Sequence, residues 1–257
     1  MTTLKSFRKI IDYKTVVVTL LAVASSYLCL RFSFTAQFPL TLIGIAIVFP
    51  LVFSIGGAYK RREAALSQYG SIKAHGRAIF FAARDWIATP DDGIQRGMKD
   101  LLAELLTACR ELFQTPVEQM NEKEERVYIT FTRISKFVQG LREKGLASGE
   151  ISRCNQYLSK MLIAFENVKH IYQYRTPRTL KAYSRLFIYL LPILYGPYFA
   201  GISKNSASGL WYLMPVLFSV VLVSLENIQE HLENPFDQIG EDDVAINAEK
   251  FVARLEL

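Results

Sequence analysis

Residues 38–59 read FPLTLIGIAIVFPLVFSIGGAY, and none of the 22 carries a charge. An α-helix rises about 1.5 Å per residue, so about 20 apolar residues cross the roughly 30 Å of a bilayer's hydrocarbon. Backbone N–H and C=O groups find no water there, which leaves a helix as the form that satisfies them internally. Three more stretches meet the same demand. Thr15–Phe34 contains VVVTLLAVASSYLCLRFSF, Ala182–Ala200 reads AYSRLFIYLLPILYGPYFA, and Leu210–Leu225 reads LWYLMPVLFSVVLVSL. Arg31 and Arg185 lie near segment ends, where long basic side chains reach the interface. The first stretch is too long for the apolar region of a signal peptide, has no persuasive small-x-small cleavage site and is soon followed by another apolar block, so it is read as a retained membrane helix.

The composition agrees. Apolar residues make up 51% of the 257, and mean hydropathy is +0.17, with the excess concentrated in these blocks. A net charge of +6 raises nucleic acid as a partner, but no zinc-finger, RNP-type or helix-turn-helix pattern accompanies it, and nucleic acid is not expected. The basic residues instead flank the apolar blocks. Lys5, Arg8, Lys9 and Lys14 precede the first; Lys60, Arg61 and Arg62 follow the second; Arg175, Arg178 and Lys181 precede the third. The links at 35–37 and 201–209 hold one basic residue, Lys204. The positive-inside rule then predicts a multi-pass protein of the cell membrane, with both termini and the middle region in the cytoplasm.

That middle region, about residues 60–181, carries helical periodicity. Thr89-Pro90-Asp91-Asp92 reads as an N-cap, a proline at the first helical position and acids in the first turn. Thr115-Pro116-Val117-Glu118 reads as a capping box. Leu101, Leu105 and Leu112 give the first helix an apolar face, and Val127, Phe131, Ile134 and Val138 give the second one. A third is predicted from near Ser148, carrying Ile151, Tyr157, Leu158, Leu162 and Phe165. The second membrane helix is expected to continue past Tyr59, with Gly56-Gly57 as a point of relaxation or close packing. The fold class is therefore all-α: four transmembrane helices with a cytoplasmic helical bundle.

Enzyme motifs are missing where they would have to be strong: there is no P-loop, GxSxG, HExxH or dinucleotide fingerprint, and no enzyme is expected. His75, His170 and His231 are isolated. Cys29, Cys109 and Cys154 show no metal or disulfide spacing. Two features stand out instead. Ile45, Phe49 and Phe53 recur every four residues, which stacks them along one helical face. Around an axis of identical subunits such positions become apolar rings, which gate ions by dewetting; lipid contact or packing explains the same spacing. After the fourth segment, residues 226–257 carry Glu226, Glu230, Glu233, Asp237, Glu241, Asp242 and Asp243. These acids suit Ca²⁺, a cation-attracting vestibule or a solvated or salt-bridged turn, although the pattern is not an EF-hand. Asn234-Pro235 would suit a helix start, with Phe236 as an anchor.

Glu233-Asn234-Pro235-Phe236 followed by Gly240-Glu241-Asp242-Asp243 resembles the bestrophin signature, an Asn/Asp-Pro-Phe turn ahead of an acidic run. Tyr59-Lys60-Arg61-Arg62-Glu63-Ala64, continuing to Tyr69-Gly70 and Arg77, resembles the extension of the bestrophin pore helix, particularly in bacterial homologues. Arg62 and Glu63 replace a pair of tryptophans common there. The Arg175–Tyr183 pattern resembles the approach to the third membrane helix. Order and spacing agree over nearly the whole chain.

The resemblance implies a homopentameric channel in membrane lipid, passing small inorganic ions, with chloride or other anions slightly favoured. A cation-conducting homologue and a non-conducting membrane scaffold are the alternatives. Counting back from Arg61 places the family's neck hydrophobes at Ile45, Phe49 and Phe53. The cytoplasmic aperture falls at Thr179, with Arg178 as its rival. Calcium candidates are Glu241, Asp242 and Asp243, but Asp237-Gln238-Ile239 shifts the register from the calcium-binding pattern. No cofactor is expected, and calcium regulation is not favoured.

Overall fold

The computed structural model describes residues 11–37, 40–89, 91–175, 177–205, 210–236 and 243–255. Among them the chain is helical without a strand. In order the helices are α1 (Tyr13–Arg31), α2 (Leu40–Asp85), α3 (Asp92–Gln114), α4 (Asn121–Gly140), α5 (Ser148–Gln173), α6 (Arg178–Leu194), α7 (Gly196–Asn205), α8 (Leu210–Glu233) and α9 (Ala248–Ala253). Four helical stretches are long and apolar enough to cross a membrane, as expected: Tyr13–Arg31, Gly44–Asp85, Thr179–Ile202 and Tyr212–Glu233. The chain gathers into two compact units, Met1–Lys60 with Arg175–Glu233, and Arg61–Tyr174 with Asn234–Leu257.

Unit one contains α1, the first part of α2, and α6 to α8. Asp12 starts α1: its carboxylate accepts from the Thr15 N–H at 3.1 Å, and its own N–H donates to Thr15 Oγ1 at 3.3 Å. This reciprocal cap begins the helix at Tyr13, two residues ahead of the expected Thr15. The helix also stops at Arg31 rather than Phe34. Ser33 turns to a φ of 55°, and the N–H groups of Ser33 and Phe34 bond back to Leu30 and Cys29 at 3.2 and 2.8 Å. That pair of bonds closes a Schellman-type C-terminus with serine where glycine is usual.

The third expected span is not one helix. α6 starts at Arg178, four residues early, and ends at Leu194; the chain turns at Tyr195 and resumes as α7. Pro197 has no N–H for the Ile193 carbonyl four residues back. The Ser25 hydroxyl on α1 donates to that carbonyl instead, at 2.7 Å. At the break a Cβ on Gly196 would lie 2.2 Å from Ser25 Oγ and 3.0 Å from the Ser25 carbonyl carbon, so only glycine permits this approach. Val18, Leu51, Ile188, Leu222 and Val223 form one buried apolar cluster of this unit, and Ile47, Leu191, Tyr195 and Phe199 form another.

With 46 residues, α2 extends about 69 Å, more than twice a bilayer's hydrocarbon, so the expected continuation past Tyr59 is present. The helix is unbroken through Pro50 and through Gly56-Gly57. A Cβ on Gly56 would meet nothing within 4 Å, so that glycine serves no close packing inside the chain.

Unit two packs the rest of α2 with α3, α4, α5 and α9 around one apolar core. α3 is capped by Asp91, whose Oδ1 accepts from the Gly93 and Ile94 N–H groups at 2.8 and 3.4 Å, and not by Thr89. A charged acceptor directly before the first turn makes the stronger cap. Thr115 does not open a helix either. Its hydroxyl donates to the Glu111 carbonyl at 2.7 Å and closes α3, because Pro116 lacks the N–H to continue. A single 3-10 turn, Val117–Gln119, leads into α4.

The leucine face of α3 and the Val127, Phe131, Ile134 and Val138 face of α4 are buried as expected, and α5 begins at Ser148. Leu162 departs from its assigned face and is exposed, while Cys154, Met161, Phe165, Val168 and Tyr172 make the buried register.

Candidate functional site

The first part of α2 has two unlike faces. Ile47, Leu51, Ser54 and Ala58 are buried in unit one. Ile45, Phe49 and Phe53 lie on the other side, exposed by 59%, 60% and 63%. The Phe49 and Phe53 rings meet edge to face, with centroids 4.6 Å apart. Each ring restricts its neighbour's rotamers, so the pair presents a defined apolar surface. Ser54, one residue beyond Phe53, faces inward, where its hydroxyl accepts from Gln229 Nε2 at 2.7 Å in a buried bond. This bond joins α2 to α8 and fixes the rotation of the stripe about the helix axis.

α8 runs eight residues past the expected Leu225, to Glu233. Glu226, Glu230 and Glu233 are therefore helical and not part of a loose acidic tail. Their spacing places them on one face, opposite Lys181 and Arg185, which are one turn apart on α6. Arg185 Nε sits 3.0 Å from Glu226 Oε1, and its guanidinium also bonds Glu230. Lys14 from α1 reaches Glu230 at 2.9 Å, and Lys181 pairs with Glu233. Glu226 and Glu233 are buried, so these pairs act at short range with little water to screen them. Of the readings open for these carboxylates, ligand, vestibule, solvated turn or salt-bridged turn, the salt-bridged one describes Glu226, Glu230 and Glu233, on a helix and not a turn. The sequence contained both partners, but 41 to 216 residues separate them, and no local pattern links them.

Asn234-Pro235-Phe236 forms a turn in unit two, and residues 237–242, on which the expected helix would fall, lie outside the described residues. Asn234 Oδ1 accepts from the Phe236 N–H at 3.4 Å, and the Pro235 carbonyl accepts from the Val244 N–H at 2.7 Å. Phe236 is the anchor the sequence indicated: it is buried, and it stacks on Phe113 and meets Tyr172 edge-on.

Thr179 is exposed in the first turn of α6, beside Arg178, the first residue of that helix. Glu241 and Asp242 lie outside the described residues, and Asp243 is half-buried with a polar partner. Among the described residues no three His, Cys, Asp or Glu side chains gather as a metal site. His75 stacks on Tyr157 with centroids 5.9 Å apart, and His170 meets Tyr174 at a tilt with centroids 4.6 Å apart. Cys109 and Cys154 are buried thiols, and burial pushes Cys109 up to about 12 and Cys154 up to about 11, far from a reactive thiolate.

No family model and no curated protein sequence matches this chain. Solved structures do. A bestrophin homologue from Klebsiella pneumoniae superposes with a TM-score of 0.76 at 17% identity, covering 95% of this chain and 96% of its own. Two single-site variants from the same organism give TM-scores of 0.80 and 0.77 at 18% and 17% identity, covering 94% and 96% of this chain and 95% and 98% of theirs. At that identity the likeness resides in the path of the backbone, which the two chains share almost from end to end. The chain has the fold of the bacterial bestrophin homologues.

Proposed function

We infer that this chain assembles as a homopentameric membrane channel that passes small inorganic ions, with chloride or another anion preferred. The observation that carries the reading is the exposed stripe of Ile45, Phe49 and Phe53 on a helix whose opposite face is packed and bonded. Fivefold repetition around an axis turns each position into an apolar ring. A narrow apolar ring admits an ion only with partial loss of its hydration, and it closes when water leaves it. The bestrophin fold supports the same arrangement. Thr179, or Arg178 beside it, forms the second narrowing, where a hydroxyl or a guanidinium favours an anion. Both termini lie on the side of the flanking basic residues, the cytoplasm.

Calcium is not required in this reading. Glu226, Glu230 and Glu233 are held by Lys14, Lys181 and Arg185 and are not free to coordinate it.

Purified protein in planar bilayers under a KCl gradient tests the reading. A reversal potential near that of chloride is expected, unchanged by a calcium chelator. A reversal near that of potassium keeps the channel and reverses the ion. A confirmed pentamer that carries no current overturns the channel and leaves a scaffold.

A further inference from the structure

Unit two contains a cavity of about 490 Å³ between α2 and the C-terminal segment, lined by Lys73, Arg77, Lys250 and Arg254 among others. Lys73 and Arg77 are one turn apart on α2, and Lys250 and Arg254 are one turn apart along α9 and its C-cap. Like charges at that spacing repel, and here two such pairs share one opening. Burial, then the charges of Arg77, Arg254 and Lys250, hold the Lys73 ammonium below the usual lysine range.

None of the four cations pairs with a carboxylate of the described residues. Lys73 and Arg77 instead lie over the Tyr69 and Phe251 rings, at 4.3 and 5.8 Å from their centroids. Arg77 Nε is buried without a hydrogen-bond partner. Glu249, the nearby acid on α9, is engaged by Arg110 at 3.1 and 3.2 Å. The arrangement is also held in place. The Asn247 N–H donates to the Tyr69 hydroxyl at 3.3 Å, and Asn247 Oδ1 caps α9 by accepting from the Lys250 N–H at 2.6 Å. Phe251 and Leu255 anchor the same segment in the core.

Four like charges share one cavity, two of them on the half-buried Lys73 and Arg77, the latter with an unsatisfied buried N–H, and a bound polyanion relieves both the repulsion and the unmade bond. The cavity is larger than a single inorganic ion needs, and guanidinium forks match phosphate oxygens in pairs. We propose that this cavity binds a small phosphate-bearing anion, with Lys73, Arg77, Lys250 and Arg254 as its ligands. The site is distinct from the apolar stripe and does not depend on the channel reading.

Calorimetric titration of the full chain with pyrophosphate, in uncharged detergent at low salt, tests the site. One saturable event per chain is expected, weakened about tenfold by Lys250→Gln or Arg254→Gln and further by added KCl. Both residues are exposed, so the variants retain the core, and an unchanged thermal midpoint without ligand verifies this. The titration is repeated in nanodiscs of phosphatidylcholine and of phosphatidylglycerol. Pyrophosphate binding in both assigns a free anion; binding lost only in phosphatidylglycerol, and restored there by neither variant, assigns a lipid phosphate. Absence of binding in detergent and in phosphatidylcholine overturns the proposal, as does equal affinity in the variants. A change of oligomer size in the variants, with no pyrophosphate bound by the wild type, overturns it in favour of contact with an acidic face of a second copy.

Discussion

The Phe236 ring stacks on the Phe113 ring with centroids 4.9 Å apart and planes 24° from parallel. Phe113 belongs to the last turn of α3, and Phe236 follows the turn at Asn234-Pro235, so the contact seats the C-terminal segment in the core of unit two. Both rings are almost fully buried. Phe236→Ala removes the ring and leaves a cavity among Phe113, Tyr172 and their neighbours, at a cost of about 3–5 kcal/mol. Chemical denaturation in mild detergent should show this loss, with Phe236→Leu recovering most of it. A change below about 1 kcal/mol would show that the segment is not held by this contact.

The approach of Gly196 to Ser25 gives a second test. Gly196→Ala places a methyl group against Ser25 backbone, and Gly196→Val adds two more carbons to the collision. The expected order of thermal stability is wild type, alanine, valine, with alanine costing about 1–3 kcal/mol by overpacking. Ser25→Ala removes the donor to the Ile193 carbonyl and should cost about 1 kcal/mol without any clash.

These features differ in how far the sequence reveals them. The four apolar stretches, the long extension of α2 and the faces of α3 and α4 follow from short-range periodicity. The break at Tyr195 had a local signal, prolines at 192 and 197, but where the chain turns depends on the Ser25 hydroxyl from another helix. For the Glu226, Glu230 and Glu233 row, salt bridges are one reading among several, and the partners Lys14, Lys181 and Arg185 cannot be named because they come from remote positions. Ile45, Phe49 and Phe53 were legible as a stripe. Spacing cannot tell a pore from lipid, since both are met by the same exposed apolar face.

The Arg185 pairs allow a charge-balance experiment. Arg185→Gln leaves Glu226 buried without its cation, and Glu226 Oε2 has no hydrogen-bond partner even now. The guanidinium is 42% exposed, so the expected loss is about 1–3 kcal/mol, below that of a fully buried pair. Adding Glu226→Gln to Arg185→Gln should restore much of it, because the unpaired charge is gone. A double variant less stable than the single one would contradict the pairing.

Alkaline pH reads a different network. In unit two, the Lys169 ammonium lies 2.8 Å from Glu124, 2.7 Å from Glu166 and 2.6 Å from the Tyr128 hydroxyl, which itself donates to Glu166. Burial, then the bond to Glu166, pushes the Tyr128 hydroxyl up to about 12. Burial opposes the Lys169 charge, but its bonds to Glu124, Glu166 and Tyr128 outweigh that and raise it above the usual lysine range. Both groups keep their protons more tightly folded than unfolded. Their contribution is therefore complete below about pH 10, the ordinary range of tyrosine and lysine, and is lost as pH climbs beyond it. Denaturation midpoints should stay level from neutral pH to about 10 and then fall. Tyr128→Phe should start lower and fall less steeply; a slope identical to wild type would exclude Tyr128 as a source of the alkaline loss.

The stripe on α2 makes the functional prediction. If Phe49 and Phe53 form the narrow apolar rings of a pentameric pore, Phe49→Ala widens the passage and lets water remain in it. An energetic step of about 1.4 kcal/mol removed from the ion's path corresponds to about a tenfold rise in single-channel conductance or open probability. Ile45→Ala should act in the same direction with a smaller effect, since less side-chain volume is deleted. A serine at position 53 should hold water as well as alanine does. A lipid-facing stripe predicts otherwise: the same substitutions would leave conductance unchanged and only weaken partition into the bilayer. Recordings from Phe49→Ala and Phe53→Ala in planar bilayers separate the two, and wild-type conductance in both variants would remove these residues from the pore.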